Sequence, residues 1–347
     1  MEQIIKHGNE RMTAEALEAA DVVRRQADVL DRPIQDLVAR LRRTPPRIVV
    51  TCARGSSGHA ALFGKGLIER HLAIPVADAA PSVVSVYRRP LRVDGQVFIA
   101  ISQSGRSLDL VECAVSAREC GALTIAIVND TESPLASASD VILPLSAGEE
   151  SSVAATKTFI ASVAALLRFV AYWSGDVAMT AALETLPRRL SSAAELDWSN
   201  ALDALSQAKS LAVLGRGPTL PIAEEVSLKL KEVCHIHAEG YSGSEFQHGP
   251  IALVSQDYPV LILMPNDEAR HELSILAAEL CHKSRVVFVT GDAIGDAVRL
   301  QTLPPEQPDA DAICLIQTFY GFVARLADRL GLDAHQPRHL QKITLTR

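Results

Sequence analysis

Lys229, Lys231, Glu232, His235, His237, Glu239, Glu245 and His248 fall within twenty residues of one another. Carboxylates and imidazoles are the side chains most easily tuned to give and take protons near neutral pH. Lys229 and Glu232 stand three apart, which puts them on one face of a helix, where an ordinary surface ion pair is the plain alternative. The chain then runs into HIHAEGYSGSEFQHGP (235–250), glycine-rich and poor in helix signal, a polar loop of the kind that often lines a site. His235, His237 and Glu239 lack the HExxH spacing and no other ligand set is evident, so no metal is expected.

A second set of residues suits an anion. AISQSGRS (100–107) follows an apolar strand, VFIAI, and precedes a helical stretch, LDLVECAVSARE. Ser102, Gln103, Ser104 and Ser107 supply hydroxyls and an amide at a helix start, where backbone N–H groups lack intrahelical partners. RGSSG (54–58), with Ser56 and Ser57, repeats this arrangement after the strand RIVVTCA. Either turn alone reads equally as a simple serine cap. Two of them after neighbouring parallel strands face one crevice. Neither matches GxGxxG or GxxxxGK[ST], so a small phosphorylated substrate fits better than a nucleotide. EESSVAATK (149–157) opens a long helix and places Lys157 one turn in, facing either the crevice or solvent.

The elements around these residues alternate. RIVVTCA (47–53), IPVADA (74–79), VFIAI (97–101), LTIAIVND (123–130) and DVILPL (140–145) read as strands separated by helices. A long helix is expected from about Val153 to Trp173, then a polar helical connector with Pro187. The order restarts with SLAVLGRG (210–217), YPVLILMP (258–265) and RVVFVTG (285–291), a weak internal repeat. Residues 292–310 read as a loop, and a last long helix precedes a basic tail. The expected class is α/β, with two domains each built on a parallel sheet covered by helices on both faces. The expected layout is a helical segment (1–45), a first domain (46–180) with the phosphate turns, a connector (181–205), a second domain (206–330) and a tail (331–347).

Composition narrows the class. The chain has 347 residues, 48% hydrophobic and 22% charged, and 34 Lys+Arg against 41 Asp+Glu leave a net charge of −7, which disfavours a broad nucleic-acid face. The six cysteines form no CxxC pair and read as buried free thiols. MEQIIKHGNERM is charged and lacks an apolar signal core, and no run of 18 uninterrupted apolar residues occurs, so a cytoplasmic protein without membrane attachment is expected.

Taken together, SQSGRS (102–107), SSVAATKTF (151–159), LKLKE (228–232), HAEGYSGSEFQHGP (237–250) and DAHQPRHLQKITLT (333–346) resemble the sugar isomerase (SIS) family, specifically the two-domain isomerase half of glutamine–fructose-6-phosphate aminotransferase. The resemblance covers nearly the whole chain, from Met12 and Glu15 to the tail. It implies flavodoxin-like domains, a homodimer and a hexose 6-phosphate held by Ser102, Gln103, Ser104 and Ser107, with Ser56 and Ser57 assisting and Ala154 beside the substrate. It implies that Glu232 shuttles a proton between C1 and C2 with Lys229 nearby. His248 would open the sugar ring in the partner subunit's site, and Lys342, in a tail closing over the active site, would contact the open-chain form.

The chain departs from that pattern in four ways. No glutaminase half precedes the resemblance, Arg54 stands where the synthase has cysteine, Ala155 replaces a serine and Arg106 replaces an acid. With these differences the sequence looks most like the SIS-type glucosamine-6-phosphate deaminases, which release ammonia and fructose 6-phosphate. Another sugar-phosphate isomerase, or a deglycase of fructosamine 6-phosphates, would use the same turns. A non-catalytic sugar-phosphate sensor is disfavoured because Glu232, His248 and Lys342 are all present and no DNA-binding module precedes residue 47.

Overall fold

The computed structural model describes residues 2–342. Along the chain run α1 (Glu2–Leu17), α2 (Ala19–Arg43), β1 (Val49–Cys52), α3 (Ser56–Leu72), β2 (Val76–Asp78), α4 (Pro81–Ser85), β3 (Val97–Ser102), α5 (Leu108–Glu119), β4 (Leu123–Val128), α6 (Pro134–Ser137), β5 (Val141–Pro144) and α7 (Lys157–Ser174). Then follow α8 (Val177–Ala194), α9 (Leu202–Ser206), β6 (Ser210–Gly215), α10 (Leu220–Cys234), β7 (His237–Ser242), α11 (Gly243–Gln247), β8 (Val260–Ile262), α12 (Arg270–Cys281), β9 (Val287–Thr290), β10 (Val298–Leu300) and α13 (Pro308–Leu330). The chain divides into two compact units. One holds residues 21–150, 157–184 and 341–342, and the other holds 2–20, 151–156 and 185–340.

The first unit is built on a parallel sheet in the order β2-β1-β3-β4-β5. Its inner strands read VVTC, VFIAIS and LTIAIV, and every residue in them is buried, as a sheet covered on both faces requires. The edge strands β2 and β5 are only half-buried. α7 is apolar all round because nearly all of its residues are buried. Its one arginine, Arg168, reaches out to Asp31 at 2.9 Å, and the Tyr172 hydroxyl donates to the same carboxylate.

The second unit holds a parallel sheet in the order β10-β9-β8-β6-β7, which repeats the topology of the first. α13 packs within it against α1 and α10. That helix is long and apolar enough to cross a membrane by composition, but most of it is core.

Three sequence expectations change. Residues 292–310 are not all loop, since β10 pairs with β9 there. The polar stretch after His235 contains a strand, β7, as the edge of its sheet. Only Ala238 of this strand is fully buried, so it lacks the apolar run that marks the inner strands. The helix expected from Val153 starts four residues later at Lys157, and the N–H groups of Ser151, Ser152 and Val153 are taken by Glu15 and His335.

Candidate active site

The order of the first sheet reverses between β1 and β3. In a parallel sheet this is the point where a crevice opens at the carboxyl ends of the strands. The turns after these two strands are the serine-rich ones. In the second turn Ser102 Oγ accepts the Gly105 N–H at 3.1 Å, and Ser104 Oγ accepts the Arg106 N–H at 3.3 Å. Gly105 has φ +62°, and a Cβ there would lie 2.1 Å from Ser133 Oγ, so only glycine fits. Its carbonyl accepts the Leu135 N–H at 3.1 Å, which pins the turn to α6. Gln103 is half-buried, and its carbonyl accepts the Asn129 N–H.

The simple-cap alternative does not hold at either turn. Ser107 precedes α5 in extended backbone and makes no side-chain cap, and the residue before α3 is Gly55. Ser56 and Ser57 open α3, both half-buried. Arg54 bonds Asp109 through Nε at 2.7 Å and Nη2 at 2.6 Å. Asp109 is almost wholly buried in the first turn of α5, so Arg54 fastens one turn to the helix of the other. Arg106 pairs outward with Asp130 at 2.7 Å.

In the same unit, Lys157 is not solvated as one alternative had it; it begins α7 buried. Lys342 Nζ donates to the buried Glu150 carboxylate at 3.1 Å, and that carboxylate also accepts the Thr158 hydroxyl at 2.6 Å. The rest of the expected closing tail, residues 343–347, lies outside the described residues.

The proton-transfer candidates lie in the second unit. Lys229 is wholly buried on α10, 3.4 Å from Glu225 and ion-paired to Glu232. It is no surface pair. Glu225 is itself at 0% exposure, with the Tyr320 hydroxyl at 3.4 Å. The Glu232 side chain keeps 20% exposure and lines a pocket of about 370 Å³ with His235, Arg338 and His339. Its carboxylate is therefore anchored from beneath and open above. His248 ends α11, exposed, and is not among the residues lining this pocket. His237 lies 3.5 Å from Glu239 on the surface, and no group of three His, Cys, Asp or Glu able to hold a metal occurs among the described residues.

Sequence reading did not single out Glu225, although Glu225, Lys229 and Glu232 recur at the i, i+4, i+7 spacing of one helix face. Nor did it give roles to Glu15 or His335. The buried Glu15 carboxylate accepts the Ser151 N–H at 2.7 Å, the Ser151 hydroxyl at 2.8 Å and the Ser152 N–H at 3.1 Å. Burial opposes its ionisation, but the bonds from Ser152 and Ser151 prevail and hold the carboxyl below its ordinary range. His335 Nδ1 meets Ser152 Oγ at 3.0 Å, and its carbonyl accepts the Val153 N–H at 3.0 Å. These contacts hold residues 151–153 ahead of α7, and Ala154 beside them is buried at 1% exposure.

Two parallel sheets of one topology, the first ending in hydroxyl-rich turns at its switch point, define a two-sheet α/β protein. The SIS domain model matches residues 43–172 and 204–300, and the chain belongs to the SIS family. It is 33% identical over 317 residues to the isomerizing glutamine–fructose-6-phosphate aminotransferase of Thermotoga maritima, an alignment covering 85% of this chain and 50% of that protein. The chain thus spans about half the length of the curated relatives it matches. A crystal structure from Silicibacter pomeroyi DSS-3, named for the phosphosugar isomerases, superposes with a TM-score of 0.89 at 38% identity, covering 93% of this chain and 99% of that one. The C-terminal domain of glucosamine-fructose-6-phosphate aminotransferase from Francisella tularensis superposes with a TM-score of 0.82 at 25% identity, covering 94% and 98%.

Proposed function

We propose that this protein is a SIS phosphosugar isomerase that deaminates glucosamine 6-phosphate to fructose 6-phosphate and ammonia. The observation that carries the reading is the Glu232 carboxylate, ion-paired to the buried Lys229 while its open side faces a pocket. The serine-rich turns support a phosphate, since helix starts and the Ser107 hydroxyl, which makes no cap bond, favour an anion.

In this reading Ser102, Gln103, Ser104 and Ser107, with Ser56 and Ser57, hold the 6-phosphate. His248 of a second subunit opens the ring, and Lys342 leaves Glu150 to contact the open chain. Glu232 removes the C2 proton, which the neighbouring C1 carbonyl acidifies, and a proton returns to C1. The aldose amine becomes a ketose imine. Water adds to C2, the C–N bond breaks and ammonia leaves. No electrons are gained or lost, so the residues suffice without a cofactor.

The test is to incubate the purified protein with glucosamine 6-phosphate and measure ammonia and fructose 6-phosphate together. Stoichiometric release, lost by about 10³-fold in Glu232→Gln, is expected for removal of the base. No ammonia from glucosamine 6-phosphate or galactosamine 6-phosphate would overturn the reading. The second reading, a deglycase of fructosamine 6-phosphates, is favoured by the cationic residues around Glu232.

A further inference from the structure

Helix α1 holds two segments of chain that are far apart in sequence. The first is the root of the segment that follows α13. Asn9, at 1% exposure, donates through Nδ2 to Asp328 Oδ1 at 2.6 Å and to the Leu332 carbonyl at 3.0 Å, and its Oδ1 accepts the Ala334 N–H at 2.6 Å. A primary amide has two N–H donors, and both are spent here. Six positions along the same helix, Glu15 takes the N–H groups of Ser151 and Ser152.

His335 joins the two anchorages. Arg11 Nη1 stands 3.5 Å from its Nε2. A guanidinium only donates, so Nε2 accepts and Nδ1 carries the proton. Nδ1–H donates to Ser152 Oγ at 3.0 Å, and the Ser152 hydroxyl donates on to Glu15. The His335 carbonyl takes the Val153 N–H at 3.0 Å, and the His335 N–H is held by Asp333 Oδ1 at 2.9 Å. The network is closed and lies inside one compact unit. Both segments lead on to a second tie. Glu150 immediately precedes Ser151, and Lys342 lies seven positions beyond His335. Glu150 accepts from Lys342 Nζ at 3.1 Å, so the segments run in opposite directions and are bonded at His335 and again at Lys342. The stretch between is not slack. Pro337 fixes its own φ, and the Leu340 N–H turns back onto the Pro337 carbonyl at 3.4 Å. A shift at the root is carried to the lysine.

We propose, resting on the assignment of Lys342 to the open-chain sugar, that His335, Ser152, Asn9 and Glu15 are positioning residues of the reaction: their network on α1 sets where the tail leaves its root, and so where Lys342 stands when it meets the substrate. Buried polar groups suit this duty, because each is costly to leave unpaired and the root therefore has one position. Lys342 acts only after the ring has opened. Misplacing it slows turnover without loosening the hold of the serine turns on the phosphate.

The experiment titrates the protein by calorimetry with glucitol 6-phosphate, an open-chain hexitol that cannot react, and with inorganic phosphate. His335→Ala is expected to weaken glucitol 6-phosphate about tenfold and to leave phosphate unchanged. In a Lys342→Met background the same substitution should change glucitol 6-phosphate binding by less than about twofold, the non-additivity of residues that act through one group. Ser152→Ala, made on the other segment, should match His335→Ala. His335→Asn, whose Nδ2 replaces Nδ1, should restore most of the affinity, and these two variants carry the test if His335→Ala does not fold. Equal losses with both ligands or in both backgrounds reduce the network to a structural brace and overturn the proposal, as does unchanged affinity. Unchanged affinity in Lys342→Met overturns the assignment of that lysine and the proposal with it. With glucosamine 6-phosphate, His335→Ala should lower kcat about tenfold and move KM less than about twofold. The expected affinities without ammonia from wild type defeat the deaminase reading alone, and ammonia release with kcat untouched by His335→Ala defeats the proposal alone.

Discussion

Lys229 is the residue on which the candidate base depends. It is fully buried and faces two carboxylates, Glu225 wholly buried and Glu232 partly open. Removing one member of a buried charge cluster leaves the others uncompensated. Lys229→Met is therefore expected to lower unfolding stability by about 3 kcal/mol in urea titrations, whereas Glu232→Gln leaves the Lys229–Glu225 pair intact and abolishes activity with little loss of stability. Equal destabilisation by the two variants would show that Lys229 serves Glu232 rather than the core. Glu15 gives a pH signature. Its folded pKa lies below the ordinary 4.5, so its stabilisation is complete above that value and is lost as pH falls through the folded pKa. Glu15→Gln should flatten the acid limb of stability against pH below about 4.5. An unchanged acid limb would remove Glu15 as a source of it.

At the scale of elements, the turn between β3 and α5 is the feature to break. Gly105 is fixed by its positive φ, by Ser133 beneath it and by the bond to Leu135. Gly105→Ala must strain the backbone and push Ser133 aside, an expected cost of about 2 kcal/mol. Because Ser102 and Ser104 bond to the backbone of this same turn, its distortion should weaken binding of inorganic phosphate and 6-phosphosugars by more than it lowers the melting temperature would suggest. Titration of the folded variant with phosphate checks this, and unaltered phosphate affinity would place the anion elsewhere. The turn between β1 and α3 is braced differently. There the Arg54 guanidinium holds the buried Asp109 of α5.

At the scale of the molecule, two sheets of one topology end in different turns. Where the first sheet ends in serines, the corresponding strand of the second runs into Arg216, Gly217, Pro218 and Thr219. The Thr219 hydroxyl there is spent internally, accepting the Arg216 N–H at 3.0 Å and donating to the Leu263 carbonyl at 2.8 Å. The second turn is a brace, and its unit offers the carboxylate of α10 instead. His248, exposed and absent from the Glu232 pocket, makes the homodimer testable. If His248 serves the other subunit, mixing unfolded Glu232→Gln and His248→Ala chains and refolding them together should restore about a quarter of wild-type activity, from the one intact site in each mixed dimer. No recovery would place both residues in the site of a single chain.

The sequence by itself determined the α/β class, the strand-turn-helix units and the residue types at both candidate centres. These follow from local rules: continuous apolar runs make covered parallel strands, and serine and glycine at a strand end make an anion-receptive turn. It also carried the SIS resemblance through SQSGRS and LKLKE. It misjudged β7 and β10, because short edge strands are half-exposed and their pairing lies with β6 and β9, distant in sequence. Only the tertiary structure decided that Lys229 is a buried anchor rather than a surface partner, since a three-residue spacing is the same on either face of a helix. It alone brought Glu15 and His335 to residues 151–153, and Arg338 and His339 to His235. These contacts join parts of the chain separated by about a hundred residues or more, and burial, not local sequence, sets their charges against one another.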